Sequence, residues 1–130
     1  MSEGVSMSAA PTVTETGDAN IVILVGEVTS PFVSRTLNDG SVVSSFDLAT
    51  VTDEGRHTVP IALVGESHVV TEGALVCVVG VVRRRFFRSG SAVTSRTEVL
   101  ASTVLSARRK AQVRKSVERA LGNLPEELRV

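Results

Sequence analysis

Three turn triplets, Asn38-Asp39-Gly40, Asp53-Glu54-Gly55 and Ser89-Gly90-Ser91, cut the chain into short valine-rich runs. Gly, Asn and Asp supply the backbone conformations that tight reversals need. The β-branched side chains between them fit a pleated, half-buried surface. The runs read as strands at 21–29, 41–52, 57–64, 74–87 and 92–105. Gly26 and Gly80 sit inside the first and fourth, where a glycine marks a bulge or tight bend. Val42, Phe46 and Leu48 share one face of the second. Pro60 predicts an edge position or a bulge in the third.

Between the third and fourth strands, residues 65–73 have room for a turn or two of helix, with Gly73 as its C-cap. Five short strands with a small helix at that point follow the order of an OB-fold barrel, a mainly β class. Internal glycines fit the sharp bends of a small closed barrel. The expected organisation is a disordered arm over 1–18, the barrel over 19–106, and a basic amphipathic helix with a short tail over 107–130. Ser106 reads as the helix N-cap, and the helix ends near Gly122 with Pro125 beyond. Val113, Val117, Ala120, Leu121 and Leu124 form its apolar stripe, and Arg108, Lys115 and Arg119 lie opposite. The stripe needs a partner surface, either its own barrel or another subunit.

A net charge of zero hides a strong asymmetry. Met1 to Val82 carries ten acids and two bases; Arg83 to Val130 carries twelve bases and four acids. Such segregation points to a nucleic-acid or acidic partner for the second half, or to self-association of unlike surfaces. The single cysteine, Cys77, excludes an intrachain disulfide and a Cys-rich zinc site, and its apolar setting reads as a buried thiol. With no signal-peptide pattern and no apolar run of membrane length, the expectation is a soluble, cytoplasmic protein without membrane contact.

Catalytic chemistry finds no inventory. Gly65-Glu66-Ser67-His68-Val69 lacks the second glycine of a nucleophile elbow, and His57 and His68 have no metal-ligand spacing. No phosphate-cradling glycine motif is present. The chain reads as a non-enzyme, without cofactor or metal. The turn at Gly90 is instead flanked by Arg83, Arg84, Arg85, Arg88 and Arg96. Strand alternation puts Arg83, Arg85 and Phe87 on one side and Arg84, Phe86 and Arg88 on the other. Two consecutive phenylalanines cannot both enter one core, so at least one is available for contact. Phe46 shares parity with Leu48 and reads as core rather than as a stacking surface, and Phe32 as a loop or barrel-rim residue.

Several segments, in order, resemble the bacterial single-stranded DNA-binding protein family. Residues 20–28 are similar to its first strand, Phe46-Asp47-Leu48-Ala49-Thr50 to its second, and Glu72-Gly73 to the lead into its fourth. Gly80 followed by Arg83-Arg84-Arg85-Phe86-Phe87 resembles its glycine, basic cluster and aromatic, and Arg96-Thr97-Glu98-Val99 its entry to the fifth strand. The resemblance spans roughly 20–107 and implies an OB-fold that assembles as a homo-oligomer, tetramer or dimer. It also implies non-specific binding of single-stranded DNA in replication, repair or recombination, in a bacterial, nucleoid-associated setting. The family's stacking tryptophans are missing, and the chain closes on Leu124-Pro125-Glu126-Glu127-Leu128-Arg129-Val130 in place of an acidic Pro-Phe tip. A divergent paralogue is the expectation.

Matched to the family's basic-x-basic-x-aromatic pattern, the leading contact residues are Arg83, Arg85 and Phe87, followed by Arg84, Phe86, Arg88 and Arg96. Arg35, Arg108, Arg109 and Lys115 are auxiliary contacts. Such binding combines phosphate-directed cations with bases stacked on flat side chains. Four arginines each neutralising one phosphate give a log–log salt slope of roughly −3 per chain. An OB-fold serving oligomerisation or protein docking, with little DNA affinity, is the alternative. Nothing in the sequence reads a 2′-hydroxyl, so RNA stays open as a ligand.

Overall fold

The computed structural model describes residues 17–129. Of the arm expected over 1–18, only Gly17 and Asp18 fall within them. Six strands follow: β1 (Val22–Val28), β2 (Val33–Thr36), β3 (Val42–Thr52), β4 (Gly55–Val64), β5 (Leu75–Ser89) and β6 (Ala92–Ser106). Helix α1 (Lys110–Gly122) and a 3₁₀ turn at Glu126–Leu128 complete the order. The sheet runs β1-β5-β6-β4-β3-β2, and a further β1–β3 pairing closes five of the strands into a barrel. The short β2 lies outside that ring, on β3. Every pairing is antiparallel except β4 with β6.

Two glycines make closure possible. Just past Gly26, β1 begins to pair with β3 while still paired with β5 through Glu27, and a Cβ at Gly26 would collide with the Ala49 carbonyl. At Gly80 a Cβ would collide with the carbonyl of Leu100. The β5–β6 register shifts between Val79 and Gly80, leaving Ser102 as the extra residue of a bulge, its hydroxyl on the Val79 carbonyl at 3.1 Å. Beyond the bulge, Asn20 closes a two-way bond with Val82: its amide nitrogen donates to the Val82 carbonyl (2.7 Å) and its oxygen accepts from the Val82 N–H (2.9 Å).

Val28, Phe46, Leu48, Ile61, Leu63, Val76, Val78, Val99 and Ala101 fill the barrel. Phe32 packs against this core with its ring 6.2 Å from that of Phe46. Phe46 is therefore core and Phe32 a half-buried plug. Opposite Pro60, Asp47 donates its N–H to the Ser30 hydroxyl (2.8 Å) and accepts on its carbonyl from Thr29 (2.9 Å), so the missing proline N–H orphans nothing on β3. The parallel β4–β6 ladder starts only at Ile61, which makes Pro60 locally an edge residue.

Two sequence expectations are corrected. Residues 65–74 form bends and turns rather than a helix. Gly65 and Gly73 both take positive φ, and their N–H groups donate to Val42 and Val28, so the segment's ends are tied to strands rather than to a helical ladder. Nor is Ser106 the helix N-cap. It ends β6 and accepts from Arg108 on its hydroxyl (3.3 Å) and from Arg109 on its carbonyl (3.1 Å), and the helix starts one turn later behind Arg109. The helix packs on its own barrel: Ala120 and Val113 cover Cys77 and Val79 on the outward side of β5, with Ile21 and Ile23 beside them. Buried there, the Cys77 thiol has its pKa pushed up by desolvation. No helix among the described residues is long and apolar enough to cross a membrane.

Candidate nucleic-acid interface

Past Gly80 the β5–β6 hairpin continues beyond the barrel, and its two faces diverge in character. Direct cross-strand pairs are Arg83 with Glu98, Arg85 with Arg96, and Phe87 with Thr94. By strand alternation these six share the outward face of the sheet with Val81, Leu100 and Ala62, which form a small apolar cluster of their own. The reverse face carries Arg84, Phe86 and Arg88 opposite Thr97, Ser95 and Val93.

On the outward face lies a concavity of about 440 Å³. Arg35 reaches it from β2, Val43 and Ser45 from β3, Ala62 from β4, Arg83 and Arg85 from β5, and Arg96 and Glu98 from β6. Val33 and Leu37 complete its apolar part. Glu98 is the unusual member, its side chain only 3% exposed. Its Oε2 accepts from Arg83 through Nε at 2.9 Å and Nη2 at 2.8 Å, and from Arg85 Nε at 3.2 Å. One sealed carboxylate thus holds two guanidinium groups. Arg85 also lies over the ring of Phe87, its Cζ 5.2 Å from the centroid. Arg96 approaches Asp47 at 3.9 Å, a loose and solvent-exposed pair.

The sequence-named residues therefore separate into three places. Arg35, Arg83, Arg85 and Arg96 meet in one groove, with the Phe87 ring beneath the Arg85 guanidinium. Arg84, Phe86 and Arg88 are exposed on the other side of the hairpin, Phe86 to 66%. Arg108, Arg109 and Lys115 are exposed at α1 and do not line the groove; Arg109 bonds Gln112 at 3.2 Å. Glu98 is the residue that sequence reasoning missed. Counting back from the Ser89–Ala92 pair that closes the turn places it opposite Arg83, so the register carried a signal for it.

With this geometry in hand, comparison with solved structures finds an SSB of Plasmodium falciparum in complex with ssDNA, at a TM-score of 0.58 and 22% identity, covering 68% of this chain and 95% of that one. The barrel is an OB-fold. At that identity the likeness is one of fold alone. No family model matches the sequence, and no curated protein matches it. Among the described residues, no three His, Cys, Asp or Glu side chains come together as a metal-binding group.

Proposed function

We propose that this OB-fold binds single-stranded DNA without sequence preference, laying the strand along the outward groove of β2, β3, β4, β6 and β5. One observation carries the reading: four guanidinium groups from three strands converge on a single open concavity, beside a partly exposed phenyl ring. Cations for phosphates and flat surfaces for bases are the two elements that sequence-tolerant single-strand binding combines. The likeness in fold to an SSB in complex with ssDNA supports the same reading. We extend the proposal to roles in replication, repair or recombination and to homo-oligomeric assembly.

Titration of a labelled oligo-dT at two salt concentrations, beside a duplex and an RNA of equal length, tests the proposal. Salt-dependent binding to the single strand in preference to the duplex is the expected result. No binding even at low salt would remove the proposal. A second reading, an oligomerisation or docking module, has its own support: Val25 and Leu75 stand half-exposed on neighbouring strands, and Phe86 and Val93 on the reverse hairpin face. Concentration-dependent mass by light scattering, combined with absent DNA binding, would select it.

A further inference from the structure

We infer that Arg83 and Arg85 are a base-stacking platform rather than phosphate clamps, and that buried Glu98 is the positioning residue that makes them so. The inference rests on the single-strand reading above and assigns different ligand chemistry to different parts of the groove. Both arginines present the Nε–H edge to the same Glu98 oxygen, at 2.9 and 3.2 Å. Two cations sharing one anion keep a single net positive charge between them, which weakens their pull on a phosphate. An Nε–H bond to Glu98 restrains where each guanidinium can sit, and the flat face of a guanidinium stacks on π-systems. Arg85 already lies over a ring, with its Cζ 5.2 Å from the Phe87 centroid. Arg83, Arg85 and Phe87 alternate along one face of β5, so they form a row of flat surfaces at the regular spacing of a strand.

Phosphates then fall to Arg35 and Arg96. Arg35 is exposed on β2, and among the described residues Arg96 makes the loose 3.9 Å contact to half-exposed Asp47. Val33, Leu37, Val43 and Ala62 give the concavity apolar walls. A ligand that satisfies all three parts has unpaired bases as well as charge. Polyanions without bases satisfy only the rim.

An abasic strand separates the two roles, because it keeps every phosphate and loses every base. Wild-type protein is expected to bind oligo-dT at least about fivefold more tightly than an abasic oligonucleotide of equal length, the lower bound for one stacked base. Glu98→Gln removes the anion and loosens its hold on both arginines. The expected result is a dT-to-abasic ratio that falls toward one, while abasic binding holds or tightens because the groove gains positive charge. Arg85→Lys keeps the charge and loses the plane; it is expected to lower the ratio with abasic affinity unchanged, and it serves if Glu98→Gln does not fold. Equal binding of dT and abasic strands by the wild type would overturn the inference, as would a ratio preserved in Glu98→Gln or in Arg85→Lys. Binding to neither strand would overturn the single-strand reading itself.

Discussion

Glu98 and Arg83 face each other across the β5–β6 hairpin with 2.8 Å between carboxylate and guanidinium, and the acid is nearly sealed from solvent while the base is one-fifth exposed. The contact connects stability to function, because the groove cannot be altered at either residue without disturbing the hairpin that carries it. An acid buried among strands is tolerated only where its oxygens are bonded to opposite charge.

Arg83→Ala is therefore expected to destabilise the protein by about 3 kcal/mol, the lower end for breaking a buried pair, since Arg85 still contacts the stranded carboxylate. Arg96→Ala removes only an exposed, long contact and is expected to cost under about 0.5 kcal/mol. Urea unfolding of the two variants checks the difference, and equal midpoints would contradict it.

Salt dependence reports on the phosphate contacts. Arg35→Ala with Arg96→Ala is expected to flatten the log–log slope for oligo-dT by roughly 1.4, about 0.7 for each cation lost. The triple change of Arg108, Arg109 and Lys115 to Ala is expected to leave affinity within about twofold, because none of the three lines the groove. Fluorescence titrations at four or five salt concentrations measure both. A slope near −3 in the wild type would mean that all four groove arginines act on phosphates, and a shallower one fits the sharing of Glu98.

Gly26→Ala and Gly80→Ala each drive a methyl group into a carbonyl of the neighbouring strand. Backbone cannot step aside as a side-chain tip can, so each is expected to cost at least about 2 kcal/mol, the range of core overpacking. Ala at Gly122, where an added Cβ meets nothing, is the control, and thermal melts compare the three.

Cys77 is sealed beneath Ala120 and is expected to resist a thiol reagent at pH 8. Ala120→Asp puts a charge into that contact; labelling should become rapid as the helix lifts, with about 2 kcal/mol lost from overall stability. Desolvation raises the folded-state pKa of the thiol above its usual value. Its contribution to stability is thus complete below the ordinary thiol pKa and fades as pH rises through the folded one. Labelling of wild type as fast as the variant would show that the helix does not cover the thiol.

Short-range chemistry in the sequence was enough for five of the six strands and their bends. Turn triplets fixed the reversals at Gly40, Gly55 and Gly90, all of which take positive φ. Gly26 and Gly80 marked the two close backbone approaches, and strand alternation separated Arg83, Arg85 and Phe87 from Arg84, Phe86 and Arg88. Residues 65–74 misled because a short polar stretch between glycines suits a helical turn and a string of bends equally, and the strands that claim its ends are distant in sequence. β2 passed unseen, since four exposed residues carry no burial pattern.

What the tertiary structure alone decided was which groups meet. Arg35 joins Arg83, Arg85 and Arg96 only because β2 lies on β3 and the barrel sets that edge across from the hairpin. The helix had two candidate partners until folding put Ala120 on Cys77. Periodicity and turn chemistry act over a few residues, whereas pairing, burial and charge compensation are set by contacts between segments far apart along the chain, and these no local pattern encodes.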